Sequence, residues 1–228
     1  MICLKIFKTP VYIQLPVFFL AIALWFGTTW FNIFFFPFRG FWINTLVGLL
    51  LTVVLLLADF GHALAHIFTA RIADAPMDEV RITLTKMPHT LYKNNAVTPK
   101  AHRMRALGGP LFNALYLFLS AVLLYFLPQG TIGKELATWC SVANIMMLIM
   151  SLTPFPIVDG GSILKWTLVD RGWSPSIAEA TAKRVGWLAG ISFFLIGIIL
   201  VILRVWFLGG IFTAAGSIVL GIGFEIVQ

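Results

Sequence analysis

The stretch Leu55-Leu56-Leu57-Ala58-Asp59-Phe60-Gly61-His62-Ala63-Leu64-Ala65-His66 sets three ionisable side chains at the end of a run, residues 40–58, that carries no charge. A helix needs about 20 apolar residues to cross the ~30 Å hydrocarbon core, so the run has the length of a membrane span. Ionisable groups at membrane depth are costly and are functional candidates on that ground alone. At 100° per residue, His66 lies about 40° and Asp59 about 60° from His62, so all three share one helix face. Asp59 and His66 are nevertheless about 10.5 Å apart along the axis. One metal ion cannot take both, whereas His62 can pair with either neighbour. Two histidines at i and i+4, with a carboxylate from elsewhere, suit a zinc ion that keeps an open position for water.

The rest of the chain has the same character. Of its 228 residues 60% are hydrophobic and 11% charged, and the mean hydropathy is +0.95. A water-soluble globular domain is thereby excluded. Charge-free windows recur at 9–38, 40–58, 106–133, 136–158, 185–203 and 205–224. They predict an all-α polytopic membrane protein, a single membrane domain over 1–228, with spans at about 11–36, 42–70, 106–127, 136–153, 185–203 and 205–224. So many spans leave no room for a separate soluble domain, and the first is too long to read as a cleaved signal peptide.

The net charge of +7 is a matter of placement rather than of nucleic acid. Seven basic residues (Arg71, Arg81, Lys86, Lys93, Lys100, Arg103, Arg105) fall in the second connection. Four more (Lys165, Arg171, Lys183, Arg184) fall in the fourth, and Lys5 and Lys8 precede the first span. The intervening connections hold only Arg39, Lys134 and Arg204. Basic residues favour the cytoplasmic side, which predicts cytoplasmic N- and C-termini and attraction to the anionic headgroups of the bilayer. Cys3 and Cys140 lie in different settings, and no structural disulfide is expected.

Residues 72–105 form the one sizeable polar stretch. Within it Val80-Arg81-Ile82-Thr83-Leu84-Thr85 alternates apolar and polar, which predicts a short β segment in the cytoplasmic connection. Such a strand either packs on the bundle or offers an edge to an extended peptide through Val80, Ile82 and Leu84. His89 and His102 are expected to face solvent or headgroups. The third span opens with Gly108-Gly109-Pro110 and carries Asn113 one turn inside, a candidate substrate contact. The fourth runs into Pro154-Phe155-Pro156-Ile157-Val158-Asp159-Gly160-Gly161, where two prolines and two glycines must break the helix. Ser176 ahead of Glu179 suggests a capping box. Gly197, Gly209, Gly210 and Gly216 suggest close packing of the last two spans.

Three of these segments together resemble the site-2 proteases, a family of intramembrane zinc metalloproteases. The leucine run ending in Gly61-His62-Ala63 is similar to the family's HExxH helix. Gly108-Gly109-Pro110-Leu111-Phe112-Asn113 resembles its small-Gly-Pro-Leu-x-Asn motif, and Pro154 to Gly161 resembles its proline-rich Asp-Gly-Gly segment. The resemblance spans about residues 42–200 in order and spacing. It implies a six-span core, zinc as cofactor, Asp159 as the third ligand, and a membrane-embedded peptide or protein as partner.

The catalytic positions depart from the pattern. Aligned through Gly61, His62 and Ala63, the family's first histidine is Ala58 and its glutamate is Asp59. Aligned on the two histidines, His62 to His66 is an HExxH with Ala63 in place of glutamate. The first register explains more flanking residues. In the second, the ion would sit about 6 Å further along the helix. The implied metal set is His62, His66 and Asp159, with Asp59 as the candidate base. Three functions follow: a degenerate protease-like protein that binds membrane peptides with little or no hydrolysis, a working zinc protease using those four residues, and a small transporter whose His/Asp cluster relays protons or ions. Zinc content, peptide turnover and ion flux separate them.

Overall fold

The computed structural model describes residues 1–83, 89–93, 96–156 and 158–227, apart from the side chains of 89, 207 and 222–227. Strands β1 (Ile2–Ile6) and β2 (Thr9–Ile13) precede helices α1 (Pro16–Phe35) and α2 (Phe41–Ile72). Strands β3 (Glu79–Ile82) and β4 (His89–Leu91) follow, and then helices α3 (Pro99–Phe126), α4 (Ile132–Leu152), α5 (Asp159–Asp170), α6 (Pro175–Ile202) and α7 (Trp206–Val227). The chain divides into two compact units, 1–97 with 108–148, and 98–107 with 149–228.

In the first unit α1 starts with Pro16 at its first turn, where a missing N–H costs nothing. The expected start near residue 11 is therefore too early: residues 2–13 form a hairpin instead. Phe7 and Lys8 both adopt positive φ (45° and 62°), the two-residue turn that matches the twist of the flanking strands. β2 then pairs in parallel with β3, and β3 antiparallel with β4, giving the order β1-β2-β3-β4.

The expected β segment is thus real but belongs to a four-stranded sheet. Val80 and Arg81 have a neighbour on each side, so no edge is free there. Val80 and Ile82 are buried in one apolar cluster with Val11, Ile67, Ala70 and Met77. Leu84 and Thr85 lie outside the described residues.

This core explains the length of α2. Its 32 residues would extend about 48 Å at 1.5 Å each, well beyond a ~30 Å hydrocarbon layer. Phe60, Leu64, Ile67 and Ala70, on its C-terminal half, pack against the sheet. The N-terminal half packs on α1. There the Thr28 hydroxyl donates to the Gly48 carbonyl at 2.7 Å, and a Cβ on Gly48 would fall 2.5 Å from Thr29 Oγ1. Small residues and hydroxyls of this kind hold helices together where lipid removes the hydrophobic driving force.

In the second unit α6 and α7 pack through glycines. Added Cβ atoms would fall 2.4 Å from Thr213 N at Gly197 and 2.5 Å from Phe194 N at Gly216. A Cβ on Gly209 would fall 2.8 Å from Val201 N, but Gly210 meets nothing within 4 Å and takes no part in the contact. The N-cap of α6 is Ser174, whose Oγ accepts from the Ile177 N–H, with Pro175 next. The expected capping box at Ser176 is not used: Glu179 pairs with Lys165 at 2.9 Å. His102 is 8% exposed and stacked on Trp166 with ring centroids 3.7 Å apart, a correction to the expected solvent-facing position.

Helices α1, α2, α3, α4 and α6 are long and apolar enough to cross a membrane. Phe19, Trp30 and Trp42 on α1 and α2 are more than 70% exposed, which suits lipid and not water. The protein is an integral, multi-pass membrane protein. α7 is 22 residues long, and its described side chains include the apolar stretch Leu208–Gly221. Cys3 and Cys140 are both free thiols.

Candidate metal centre

Glycine places the site. α3 begins at Pro99, not near 106 as expected, and passes straight through Pro110. Proline removes a helix hydrogen bond, a loss tolerated where neighbouring helices and side chains re-satisfy the backbone. In the turn before it, Gly108 and Gly109 bring α3 against α2. A Cβ on Gly108 would fall 2.5 Å from the Ala65 carbonyl oxygen, and one on Gly109 would fall 2.2 Å from His62 Nε2. Gly61 does the same from the other side, where a Cβ would meet the Phe112 ring at 2.0 Å. Only hydrogen at Gly109 lets the α3 backbone lie against the His62 imidazole.

Within the first unit His62 and His66 come together as helix spacing predicts. Their Nε2 atoms are 3.1 Å apart, and their rings meet at 80° with centroids 4.8 Å apart. Both are shielded, with His66 7% exposed and His62 half-buried. The Gly109 N–H donates to His66 Nδ1 at 3.4 Å. His62 Nδ1 is hydrogen-bonded to Asn113 Oδ1. Two imidazole nitrogens on one tetrahedral zinc, at about 2.0–2.1 Å each, stand about 3.3 Å apart. The observed spacing fits zinc. The Asn113 bond also fits, because a ligating histidine ordinarily fixes its second nitrogen on an oxygen.

Asn113, a candidate substrate contact on sequence, has two polar side chains for partners. It is fully buried, and its amide is committed at both ends: Oδ1 to His62, Nδ2 to Asn144 Oδ1 at 2.8 Å. It is hydrogen-bonded to the histidine on one side and to α4 on the other. Asn144, one helix away on α4, was not singled out by sequence, since a lone asparagine in a span carries no spacing signal. Asp59 lies three residues before His62 on α2 and is half-buried, while Ala58 and Ala63 are buried and bring no functional group.

Asp159 lies in the second unit. α4 stops at Leu152, and the proline-rich segment breaks the helix as expected. The Phe155 N–H turns back to the Thr153 carbonyl at 2.7 Å, and the Val158 N–H to the Phe155 carbonyl at 3.1 Å. Val158 is extended (φ −116°, ψ 168°), and Asp159 is the first residue of α5, where the helix dipole favours a negative charge. Gly160 and Gly161 permit this turn: Cβ atoms there would fall 2.2 Å from Leu152 O and 1.9 Å from Phe155 O.

No protein-family model matches the chain, and no curated protein sequence does so either. Among solved structures the chain is similar to the Site-2 Protease from Methanocaldococcus jannaschii, at 15% identity and a TM-score of 0.55, over 95% of this chain and 93% of that one. Likeness at that level speaks for the path of the chain and not for its chemistry. This protein has a site-2-protease-like fold.

Proposed function

We propose that the chain is a site-2-protease-like membrane protein whose His62, His66 and Asp159 hold a zinc ion, and which binds membrane-embedded peptides or protein partners with little or no hydrolysis. The carrying observation is the pair of Nε2 atoms 3.1 Å apart on a helix that has Ala63, not a carboxylate, directly after His62. Zinc in this setting polarises a carbonyl oxygen and acidifies water. His62, held by Asn113, presents Nε2. Asp159 brings the third donor from a helix start. Asp59 is the carboxylate nearest in sequence, one methylene shorter than glutamate, and a base must come within about 2.6–3.2 Å of the proton it takes. With α7 as a sixth span, the membrane domain is single and both termini are cytoplasmic, on the distribution of lysine and arginine.

The half-buried Asp59, on the same helix face as His62, favours a second reading in which it serves as the base of a slow zinc protease. Incubating the zinc-loaded protein with a helix-breaking transmembrane peptide separates the two. Binding without measurable cleavage is expected, with Asp59→Glu raising turnover about 10²-fold as the carboxylate gains reach. Native turnover that Asp59→Asn abolishes and Asp59→Glu does not improve would overturn the first reading in favour of the second.

A further inference from the structure

Asn144 belongs to no motif, yet it is 0% exposed in a chain where burying an amide costs free energy unless its bonds are made. Its Nδ2 donates to the Cys140 carbonyl at 2.8 Å. A carbonyl oxygen can only accept, so this bond fixes which end of the Asn144 amide is which. Oδ1 is then the end that faces Asn113 and accepts from its Nδ2 at 2.8 Å. The Asn113 Nδ2 also lies 3.8 Å from Met147 Sδ, another group that can only accept. Asn113 is therefore held with Oδ1 toward His62, and Oδ1 has no proton to give. The proton of that hydrogen bond must sit on His62 Nδ1, which in the neutral imidazole leaves the lone pair on Nε2.

We propose that Asn144 is a positioning residue: through Asn113 it locks His62 in the Nδ1–H tautomer and presents the Nε2 lone pair to a metal ion. The direction of the relay runs from a backbone carbonyl of α4, through two amides, to an imidazole of α2. That lone pair accepts from His66 Nε2, whose own Nδ1 receives the Gly109 N–H. For a cation to take both nitrogens, the His66 proton would have to pass from Nε2 to Nδ1, which would then give up the 3.4 Å bond from the Gly109 N–H. Without Asn144 the Asn113 amide is free to turn over and offer Nδ2 to His62, which favours the opposite tautomer and hides the lone pair.

The proposal rests on the zinc reading for its purpose but not for its test. In metal-free protein labelled with 15N-histidine and reconstituted in lipid, protonated and unprotonated ring nitrogens are resolved by their shifts. His62 is expected to be protonated on Nδ1. In Asn144→Leu the Nε2–H form is expected to appear, and zinc affinity to fall about 10- to 100-fold, the usual effect of losing an outer partner of a metal-ligating histidine. Asn144→Asp keeps an oxygen that accepts from Asn113 and is expected to recover both. A native His62 protonated on Nε2 would overturn the proposal even if Asn144→Leu fails to fold, and so would an Asn144→Leu protein with unchanged tautomer. Native protein that shows the expected tautomer and its shift in Asn144→Leu, but takes up no zinc, upholds the relay and refutes the metal centre.

Discussion

Replacing His62 with alanine is expected to take purified protein from about one zinc ion per chain to none, since a zinc site needs at least three protein ligands and the proposal supplies only three. The effect has a second component, independent of metal. His62 is the donor to Asn113 Oδ1, and Asn113 is fully buried. Truncation orphans that oxygen in the membrane interior, at about 1–3 kcal/mol. His66 Nε2 loses the partner 3.1 Å away at the same time. Elemental analysis after chelation and reloading reads the first component, and thermal unfolding in detergent reads the second. Undiminished zinc in His62→Ala would remove this histidine from the metal set.

Gly161→Ala is expected to be the most damaging of the conservative changes around Asp159. A Cβ at Gly161 would fall 1.9 Å from the Phe155 carbonyl oxygen and 2.2 Å from its carbon, both backbone atoms that cannot turn aside. Phe155 is 2% exposed, and its ring lies where a Cβ on Gly186 would fall, so the segment cannot retreat that way without disturbing α6. Overpacking of this kind costs about 1–3 kcal/mol, and the turn before α5 has to shift with it. Asp159 moves too. Lowered thermal stability together with zinc affinity reduced at least as far as in Asn144→Leu is the expected result. Gly210→Ala, where a Cβ meets nothing within 4 Å, is the control that is expected to change neither.

Much of this architecture was legible in the sequence because lipid imposes a simple code. Charge-free runs gave helices, and Pro154 to Gly161 gave a break between Leu152 and Asp159. The histidine pair followed from helical spacing alone. What stayed hidden has physical causes. The hairpin 2–13 turns through Phe7 and Lys8 at positive φ, without the Asn-Gly or Gly residues that ordinarily announce such a turn. Tyr12, inside the span expected from about residue 11, is instead the strand partner of Arg81. The start of α3 was masked by Lys100, His102, Arg103 and Arg105, a polar turn that sequence assigned to the connection but that continues the same helix. His102 was misread because stacking on Trp166 depends on a residue 64 positions away. The role of Asn113 depended on Asn144 in the same way. Sequence shows which polar groups sit in the membrane, but not which of them are spent on each other.

The central claim is that His62, His66 and Asp159 share one metal ion. X-ray absorption at the zinc edge of the loaded protein tests it most directly, with Asp159→Ala alongside. Two imidazole nitrogens and a carboxylate oxygen at about 2.0–2.2 Å are predicted, the oxygen disappearing and occupancy collapsing in Asp159→Ala. Identical spectra and occupancy in the native protein and in Asp159→Ala would contradict the account.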